Sequence, residues 1–269
     1  MKLVDLTHLN WVTTHNGGAS YGCYYKATSI ENGIKYYYKC SNFYTNNMYF
    51  GDESINEVIC SRLFRILGID CARYSLVQAL VRINGAVYRT YVCKSVNYFA
   101  GYDSRITLEN KRAMHPDKKL DEVINMLGIQ NQVKQMMIAD YITIQRDRHG
   151  ENIELLIKDN KYVMAPLFDN GLSFLAPYPS QSGISLEIIK NFDVLEDRPD
   201  NKYIGTRSLY QNLRYIDKPI RLNKLTKEDK RKIFYGLSRA LPREYINKIW
   251  QIITYRYMLL KQKGFIVDA

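Results

Sequence analysis

Several features that would identify other classes of protein are absent from this sequence of 269 residues. No apolar run approaches the ~20 residues that a membrane-spanning helix needs, and the first residues contain no signal-peptide core. The five cysteines and four histidines lack metal-ligand spacing, which argues against a zinc site. Repeats, linkers and low-complexity segments are also lacking. Scattered single cysteines suit a reducing compartment, so we expect a cytoplasmic protein without membrane association.

The composition is that of an ordinary globular protein, with 46% hydrophobic and 24% charged residues. The length permits a substantial core. A net charge of +11 would permit binding to an acidic partner such as nucleic acid, or attraction to polyanionic nucleotides. A lysine-rich solvated surface explains the charge more simply, so we expect nucleic acid to be involved only indirectly, if at all.

A polar loop after an apolar, helix-like run carries Asp147 and Asn152, five positions apart. The residues that follow the loop predict a hairpin. Its parts are a strand over 153–158, a tight turn at Asp159-Asn160 and a returning strand over 161–168.

This register places three polar side chains at one end of the hairpin. Asn152 would face Leu167, so Asp169 would emerge beside the loop that holds Asp147 and Asn152. Such a trio suits phosphoryl transfer, in which one carboxylate orients or deprotonates the attacking hydroxyl while an Asn and a second Asp hold Mg²⁺. A surface hairpin with solvated acids is the alternative that these residues alone leave open.

A glycine loop near the start contains Gly17, Gly18 and Ser20, between strand-like segments 11–15 and 24–30. Glycines allow backbone N–H groups to approach a phosphate closely. An ordinary hairpin turn is equally compatible with Gly-Gly between two strands.

Lys39 lies on a predicted strand over 35–40, and Glu57 lies on a predicted helix over 53–67 that ends at Gly68. The apolar stripe of this amphipathic helix comprises positions 55, 58, 59, 63, 66 and 67. Because Glu57 lies next to the stripe, it can reach inward toward a sheet lysine. We therefore predict a Lys39–Glu57 ion pair of the kind found in kinase folds.

The motif Asp147-Arg-His-x-x-Asn152, followed by Asp169-Asn-Gly-Leu-Ser173, resembles the catalytic and metal-binding segments of the HipA-like kinases. The short Gly-Gly loop and Asn56-Glu57 on the helix also resemble that family, so the match extends over most of the chain. The Asp-Arg-His-x-x-Asn loop is similar to that of the phosphatidylinositol kinases as well.

The resemblance implies an α+β, two-lobed protein-kinase-like fold, with ATP between the lobes. We expect a small β-rich N-lobe over 1–95 and a mainly helical C-lobe over 96–269. Residues 92–94 would form the hinge, where the backbone of Cys93 pairs with adenine. Many HipA-like proteins carry an extra N-terminal subdomain; because the glycine loop starts by residue 17, we expect this chain to lack that piece or to receive it from another chain.

Each candidate residue acquires a role from the resemblance. Asp147 would be the base or substrate orienter, and His149 would support the loop or assist proton transfer. Asn152 and Asp169 would hold Mg²⁺. Lys39, held in position by Glu57, would bind the nucleotide phosphates. The loop residues Gly17, Gly18 and Ser20 would cover those phosphates.

The expected activity is ATP- and Mg²⁺-dependent phosphorylation of Ser or Thr hydroxyls on a protein, as in the toxin of a toxin–antitoxin pair with an antitoxin partner. A phosphatidylinositol-type lipid kinase is one alternative. A non-catalytic kinase-shaped module in a DNA-bound toxin–antitoxin complex is another. We also expect autophosphorylation at Ser20, because the glycine loop would lie over the ATP phosphates.

Helical patterns dominate the second half of the chain. Helices are predicted over 119–127 and 132–144, whereas the stretch from 174 to 220 is expected to be irregular. Thr226 is the expected N-cap of a further helix, and Pro242 begins a last helix that runs to about Gln262.

Overall fold

The computed structural model describes residues 2–13, 24–197, 199 and 204–269. Its strands are β1 Leu3–Asp5, β2 Val12–Thr13, β3 Tyr25–Glu31, β4 Ile34–Cys40, β5 Phe43–Tyr44, β6 Tyr49–Phe50, β7 Tyr74–Ile83, β8 Ala86–Val96, β9 Ser104–Thr107, β10 Glu154–Lys158, β11 Lys161–Met164, β12 Ile220–Leu222 and β13 Ile266–Asp268. Its α-helices are α1 Glu53–Leu67, α2 Leu108–Ala113, α3 Leu120–Leu127, α4 Gln130–Thr143, α5 Leu186–Asn191, α6 Leu209–Asn212, α7 Asp229–Ile233 and α8 Arg243–Gln262. Short 3₁₀ turns cover Gly150–Asn152, Leu213–Tyr215 and Leu237–Arg239.

The first part of the chain forms a six-stranded sheet in the order β1-β7-β8-β4-β3-β2. Strands β7 and β8 form a hairpin within this sheet, and its turn residues Asn84 and Gly85 have φ angles of +50° and +83°. Asn-Gly suits this turn because both positions need left-handed backbone, which glycine adopts freely and asparagine tolerates. The sheet places β4 beside β8, so that Lys39 lies opposite Cys93.

Helix α1 packs against this sheet through the predicted apolar stripe. Ile55, Val58, Ile59, Leu63 and Leu67 are buried, and Ile66 packs at the edge of the core. The helix ends where predicted, at Gly68, which has a φ of +77°. A left-handed residue after the last turn satisfies the terminal carbonyls, and glycine adopts it without a Cβ clash.

The β10–β11 hairpin has the predicted turn, with φ angles of +50° at Asp159 and +59° at Asn160. Lys158 faces Lys161 as expected, but the paired strands end at Leu155 and Met164. The prediction that Asn152 faces Leu167 is wrong. Leu167 instead exchanges backbone hydrogen bonds with the segment that follows α1: its N–H donates to Asp70 O at 3.1 Å, and Ala72 N–H donates to Leu167 O at 2.9 Å.

The remaining helices surround a core shared by α1, α4 and α8. Helices α3, α4 and α8 occur close to their predicted positions, whereas short helices α5 and α6 lie in the stretch expected to be irregular. The helix predicted from Thr226 begins at Asp229, because the Asp229 carboxylate accepts hydrogen bonds from Thr226 N–H and Oγ1 and holds it in a turn. The division into lobes at residue 95 stays a prediction.

Arg256 ties the last helix to the rest of the helical part. This fully buried guanidinium donates to Tyr141 O at 2.8 Å and Val194 O at 2.7 Å, and also to Glu196 O. The Tyr141 carbonyl belongs to the last turn of α4, so this contact helps to fix the residues that follow α4. None of the helices in the described ranges is both long and apolar enough to cross a membrane.

Candidate active site

Lys39 forms the centre of the site. Its Nζ lies 3.2 Å from Glu57 Oε1, so the predicted ion pair is present. The same Nζ also contacts Asp169 Oδ1. Glu57 accepts a second hydrogen bond, at 2.9 Å, from the backbone N–H of Asn170. One glutamate on α1 therefore positions both the lysine and the backbone next to Asp169.

Burial and charge act in opposite directions on these three groups. Burial raises the pKa of Glu57, although Lys39 opposes that shift. Burial would also raise the pKa of Asp169, but the Lys39 charge outweighs it and lowers the pKa to about 2. Burial works against the charge of Lys39, yet Asp169 and Glu57 raise its pKa well above the ordinary value. At neutral pH Lys39 and Asp169 are therefore both charged.

The loop after α4 is fixed to Asp169 through Gln145. Helix α4 ends at Ile144, which has a left-handed φ of +53°. The Gln145 amide then donates through Nε2 to Asp169 O at 2.8 Å and accepts through Oε1 from Asp147 N–H at 3.2 Å. One side chain thus sets the distance between the two aspartates that the sequence singled out.

Arg148 holds the loop from inside. It forms a buried pair with Asp140 of α4, with Nη2 2.9 Å from Asp140 Oδ1. It also donates to Asn152 O at 3.3 Å, Phe168 O at 2.9 Å and Asn170 Oδ1 at 2.8 Å. Sequence reasoning assigned no role to Arg148. The sequence did contain one signal for such a role. Asp140 lies within the apolar run of α4, and a buried aspartate needs a partner.

Asn152 and His149 complete the loop. Asn152 donates through Nδ2 to Asp147 O at 3.0 Å, and this hydrogen bond orients its side-chain oxygen away from that carbonyl. His149 Nε2 lies 3.7 Å from Asp147 Oδ2. The Asn152 amide oxygen and the Asp169 carboxylate are hard oxygen donors, so these residues fit the ligand preference of Mg²⁺.

Helix α1 also contacts the residues that follow Asp169. Asn56 Nδ2 donates to Gly171 O at 2.9 Å and to Ser173 O at 3.1 Å. A Cβ atom added to Gly171 would lie 2.9 Å from Cβ of Glu53, which is too close for two carbon atoms. Position 171 therefore requires glycine, because the backbone runs directly against the helix.

A cleft of about 570 Å³ opens in front of these groups. Lys39, Glu57 and Asp169 line one part of it, and apolar residues line another. The apolar walls include Ala27, Tyr74, Cys93, Tyr98 and Phe168. The Tyr98 and Phe168 rings stack with their centroids 5.7 Å apart. A cleft with an apolar part and a charged part matches a ligand that joins a flat base to phosphates.

Lys26 is a cleft residue that the sequence analysis did not identify. It lies directly opposite Lys39 on the neighbouring strand, so both side chains lie on the same face of the sheet. Burial lowers its pKa, and the charge of Lys39 lowers it further. The alternation of β3 could have indicated this position, had the register with β4 been known.

The expected hinge requires a correction. Cys93 and its neighbours lie inside β8, which pairs with β7 on one side and β4 on the other. Their backbone groups are therefore used in the sheet and cannot pair with adenine. Cys93 lines the cleft through its side chain, and β8 continues to Val96 before the chain leaves the sheet. The predicted glycine-loop residues Gly17, Gly18 and Ser20 lie outside the described residues.

Comparison with known proteins identifies the fold. No family model and no curated protein sequence matches the chain. The crystal structure of the Helicobacter pylori proinflammatory kinase CtkA matches over 98% of this chain and 97% of that one, with 15% identity and a TM-score of 0.61. At this identity the likeness defines the fold, which is α+β and kinase-like, as predicted.

A HipA structure is also among the matches. It is the Shewanella oneidensis MR-1 toxin–antitoxin system HipA and HipB in complex with its operator DNA, with 12% identity and a TM-score of 0.42. The match covers 92% of this chain and 59% of that HipA chain. The kinase-like fold that the sequence motifs implied is therefore confirmed by the CtkA match alone.

Proposed function

We propose that this protein is a kinase that transfers the γ-phosphoryl group of ATP to a Ser or Thr hydroxyl of a protein, with Mg²⁺ as the metal. The observation that carries the proposal is the position of Lys39, which contacts both Glu57 of α1 and Asp169 at the charged end of the cleft. Cationic groups positioned on the phosphates are the main requirement of phosphoryl transfer, because the reaction depends on positioning and electrostatic stabilisation.

The residues divide the work as follows. Lys39, held by Glu57, would neutralise phosphate oxygens of the nucleotide, and Lys26 on the adjacent strand adds a second positive charge to the same face. Asn152 and Asp169 would hold Mg²⁺, which when bound neutralises charge on the phosphates. Glu57 is a positioning residue, because it acts through Lys39 and through the Asn170 backbone.

Asp147 would orient the acceptor hydroxyl and take its proton as the hydroxyl oxygen bonds to the γ-phosphorus. The bond from that phosphorus to the β–γ bridging oxygen breaks, and ADP leaves. Gln145 sets the Asp147 backbone relative to Asp169, so the acceptor and the nucleotide would be aligned by one loop. His149, 3.7 Å from Asp147, supports the orientation of that carboxylate.

A transfer assay tests this activity. The wild-type protein is incubated with a cell lysate and γ-labelled ATP, and the labelled residues are identified by phosphoamino-acid analysis. We expect phosphoserine or phosphothreonine, and a loss of about 10²–10⁴ in rate for Asp147→Ala, as is typical when a positioned base is removed. Label on phosphatidylinositol in added vesicles, with none on protein, would contradict the proposal and identify a lipid kinase.

Two finer predictions rest on the sequence resemblance. A toxin role predicts that expression arrests growth and that Asp147→Ala abolishes the arrest; a co-expressed antitoxin would relieve it. Autophosphorylation predicts phosphate on Ser20 after incubation with ATP, detectable by mass spectrometry. The cytoplasm stays the predicted location.

A further inference from the structure

The positive charge of the protein is concentrated around α7. Residues 224–243 contain seven basic and two acidic side chains, a net charge of +5 out of +11 for the whole chain. This segment packs on the outer side of α1, where Arg62 Nη1 donates to Ile233 O and Tyr235 O, both at 2.8 Å. Arg62 thereby adds a fixed cation to the same surface, and burial together with neighbouring Arg65 lowers its pKa.

A shallow depression of about 590 Å³ lies within this surface. Its base is aromatic, since it is formed by Phe234, which is buried, and by the neighbouring residue Tyr235, which is 76% exposed. The other residues that line it are Lys227, Glu228, Lys230 and Arg231. Together with Arg62, these six residues form what we call the α7 surface. It combines an apolar base with a rim that is mainly cationic.

The cations of the α7 surface form no ion pair with the residues that the structure describes. Lys232 pairs with Asp229 at 2.7 Å, and Lys230 donates to Asn247 Oδ1 at 2.9 Å. Among the described residues no ion pair involves Arg62, Lys227 or Arg231. A solvated face usually mixes both signs of charge, because like charges repel one another when they are close.

We propose that the α7 surface binds an acidic segment of a partner protein, with one apolar side chain on Phe234 and Tyr235 and flanking carboxylates on the surrounding cations. Arginine and lysine side chains at the rim pair with carboxylates, while an apolar base supplies the contact area of an anchor residue. The observations favour a peptide over nucleic acid. A single-stranded nucleic acid needs a longer basic groove with successive stacking rings, whereas here one exposed ring and Glu228 lie in a single depression.

Fluorescence anisotropy with a defined probe tests the proposal. The probe is a short labelled peptide in which glutamates flank a central leucine and phenylalanine, titrated with the full-length protein without ATP. The test variant is Lys227→Glu with Arg231→Glu. Its matched control is Lys158→Glu with Lys161→Glu, which reverses two exposed lysines at the β10–β11 turn and changes the net charge equally.

We expect the wild type and the control to bind the peptide alike, and the test variant to bind at least about tenfold more weakly. Binding should weaken with added salt, because the contacts are exposed, and a peptide with glutamine in place of glutamate should not bind. Equal affinity of the test variant and the control would overturn the proposal. A stronger preference for oligo(dT) or oligo(U) than for the peptide would also overturn it. Because the assay needs no phosphoryl transfer, its result is independent of the proposed kinase activity.

Discussion

Two cations, the buried Arg148 and the half-buried Lys39, contact the segment around Asp169, and their surroundings differ. Arg148 and its partner Asp140 are both enclosed, with side chains 7% and 6% exposed. Lys39 is 12% exposed and its partner Asp169 is 31% exposed, where the cleft opens. Both networks reach Asn170, because Arg148 donates to its side chain while Glu57 accepts from its backbone N–H.

This difference indicates a structural role for Arg148 and a chemical role for Lys39. The Arg148 guanidinium donates hydrogen bonds to Asp140, to two backbone carbonyls and to Asn170, so its role is to hold the loop. Lys39 contacts two carboxylates at the wall of a cleft, where a ligand can reach the same group. We therefore expect changes at Arg148 to reduce stability, and changes at Lys39 to reduce activity.

The largest effect on stability is expected for Arg148→Met. Removing the arginine leaves the Asp140 carboxylate buried without its cation, which typically costs about 3–5 kcal/mol. Urea denaturation followed by circular dichroism measures the loss. The double variant Asp140→Leu with Arg148→Met should recover much of it, because no unpaired charge remains. A cost below about 1 kcal/mol for the single change would show that Arg148 does not hold the loop.

The next effect concerns the Lys39–Glu57 pair. Lys39→Met and Glu57→Gln should each reduce the rate of phosphoryl transfer, but the double change should cost less than their sum because the residues act as one unit. A double-mutant cycle should give a coupling of about 0.5–3 kcal/mol, the range for residues in contact. Additive losses would mean that Glu57 does not act through Lys39.

The smallest effect concerns Asp52, a buried carboxylate that is held by hydrogen bonds from Ser180. Asp52 accepts hydrogen bonds from Ser180 N–H at 2.6 Å and Ser180 Oγ at 2.7 Å, and burial raises its pKa to about 6. Because this pKa is above the ordinary value, the native state binds the proton more tightly than the unfolded state. Stability should therefore fall as pH rises from about 4 to about 6. The Asp169 carboxylate beside Lys39 is the opposite case, with its pKa lowered to about 2.

Asp52→Asn should flatten this part of the pH dependence, since an amide does not titrate in that window and can still bond to Ser180 on both sides. Urea midpoints at several pH values between 4 and 7.5 measure the slope. Ser180→Ala is the matched control, because it removes the hydrogen bond from Ser180 Oγ but keeps the backbone hydrogen bond, the carboxylate and hence the slope. An unchanged slope in Asp52→Asn would assign the pH dependence to other groups, such as Glu53, whose pKa burial raises to about 7.

Local patterns were sufficient to predict much of the site. The apolar stripe of α1 placed Glu57 toward the sheet, and the alternation of β4 placed Lys39, so their contact followed from two periodicities. The turn at Asp159-Asn160 followed from the residue types that tolerate left-handed backbone. These features depend on residues that are close together in the sequence.

The errors involve contacts between distant residues. Leu167 bonds with Asp70 and Ala72, almost a hundred positions away, and no hairpin pattern could indicate that competing partner. The expected hinge failed for a related reason, because a strand's end depends on its neighbours and β8 continues to Val96 between two partners. Arg148 was overlooked although Asp140 was a signal in the sequence, because its contacts with Phe168 and Asn170 join segments that are separate along the chain.

The proposed roles are metal binding for Asp169 and orientation of the acceptor hydroxyl for Asp147. They are tested most directly by calorimetric titration of ATP, with and without Mg²⁺, into the wild type, Asp169→Ala and Asp147→Ala. We expect Mg²⁺-dependent binding in the wild type and in Asp147→Ala, since a hydroxyl-orienting carboxylate does not hold the nucleotide. Asp169→Ala should lose the Mg²⁺-dependent part, because a carboxylate ligand to the metal is removed. Equal, Mg²⁺-dependent binding by all three proteins would contradict the assignment of Asp169 as the metal-binding residue.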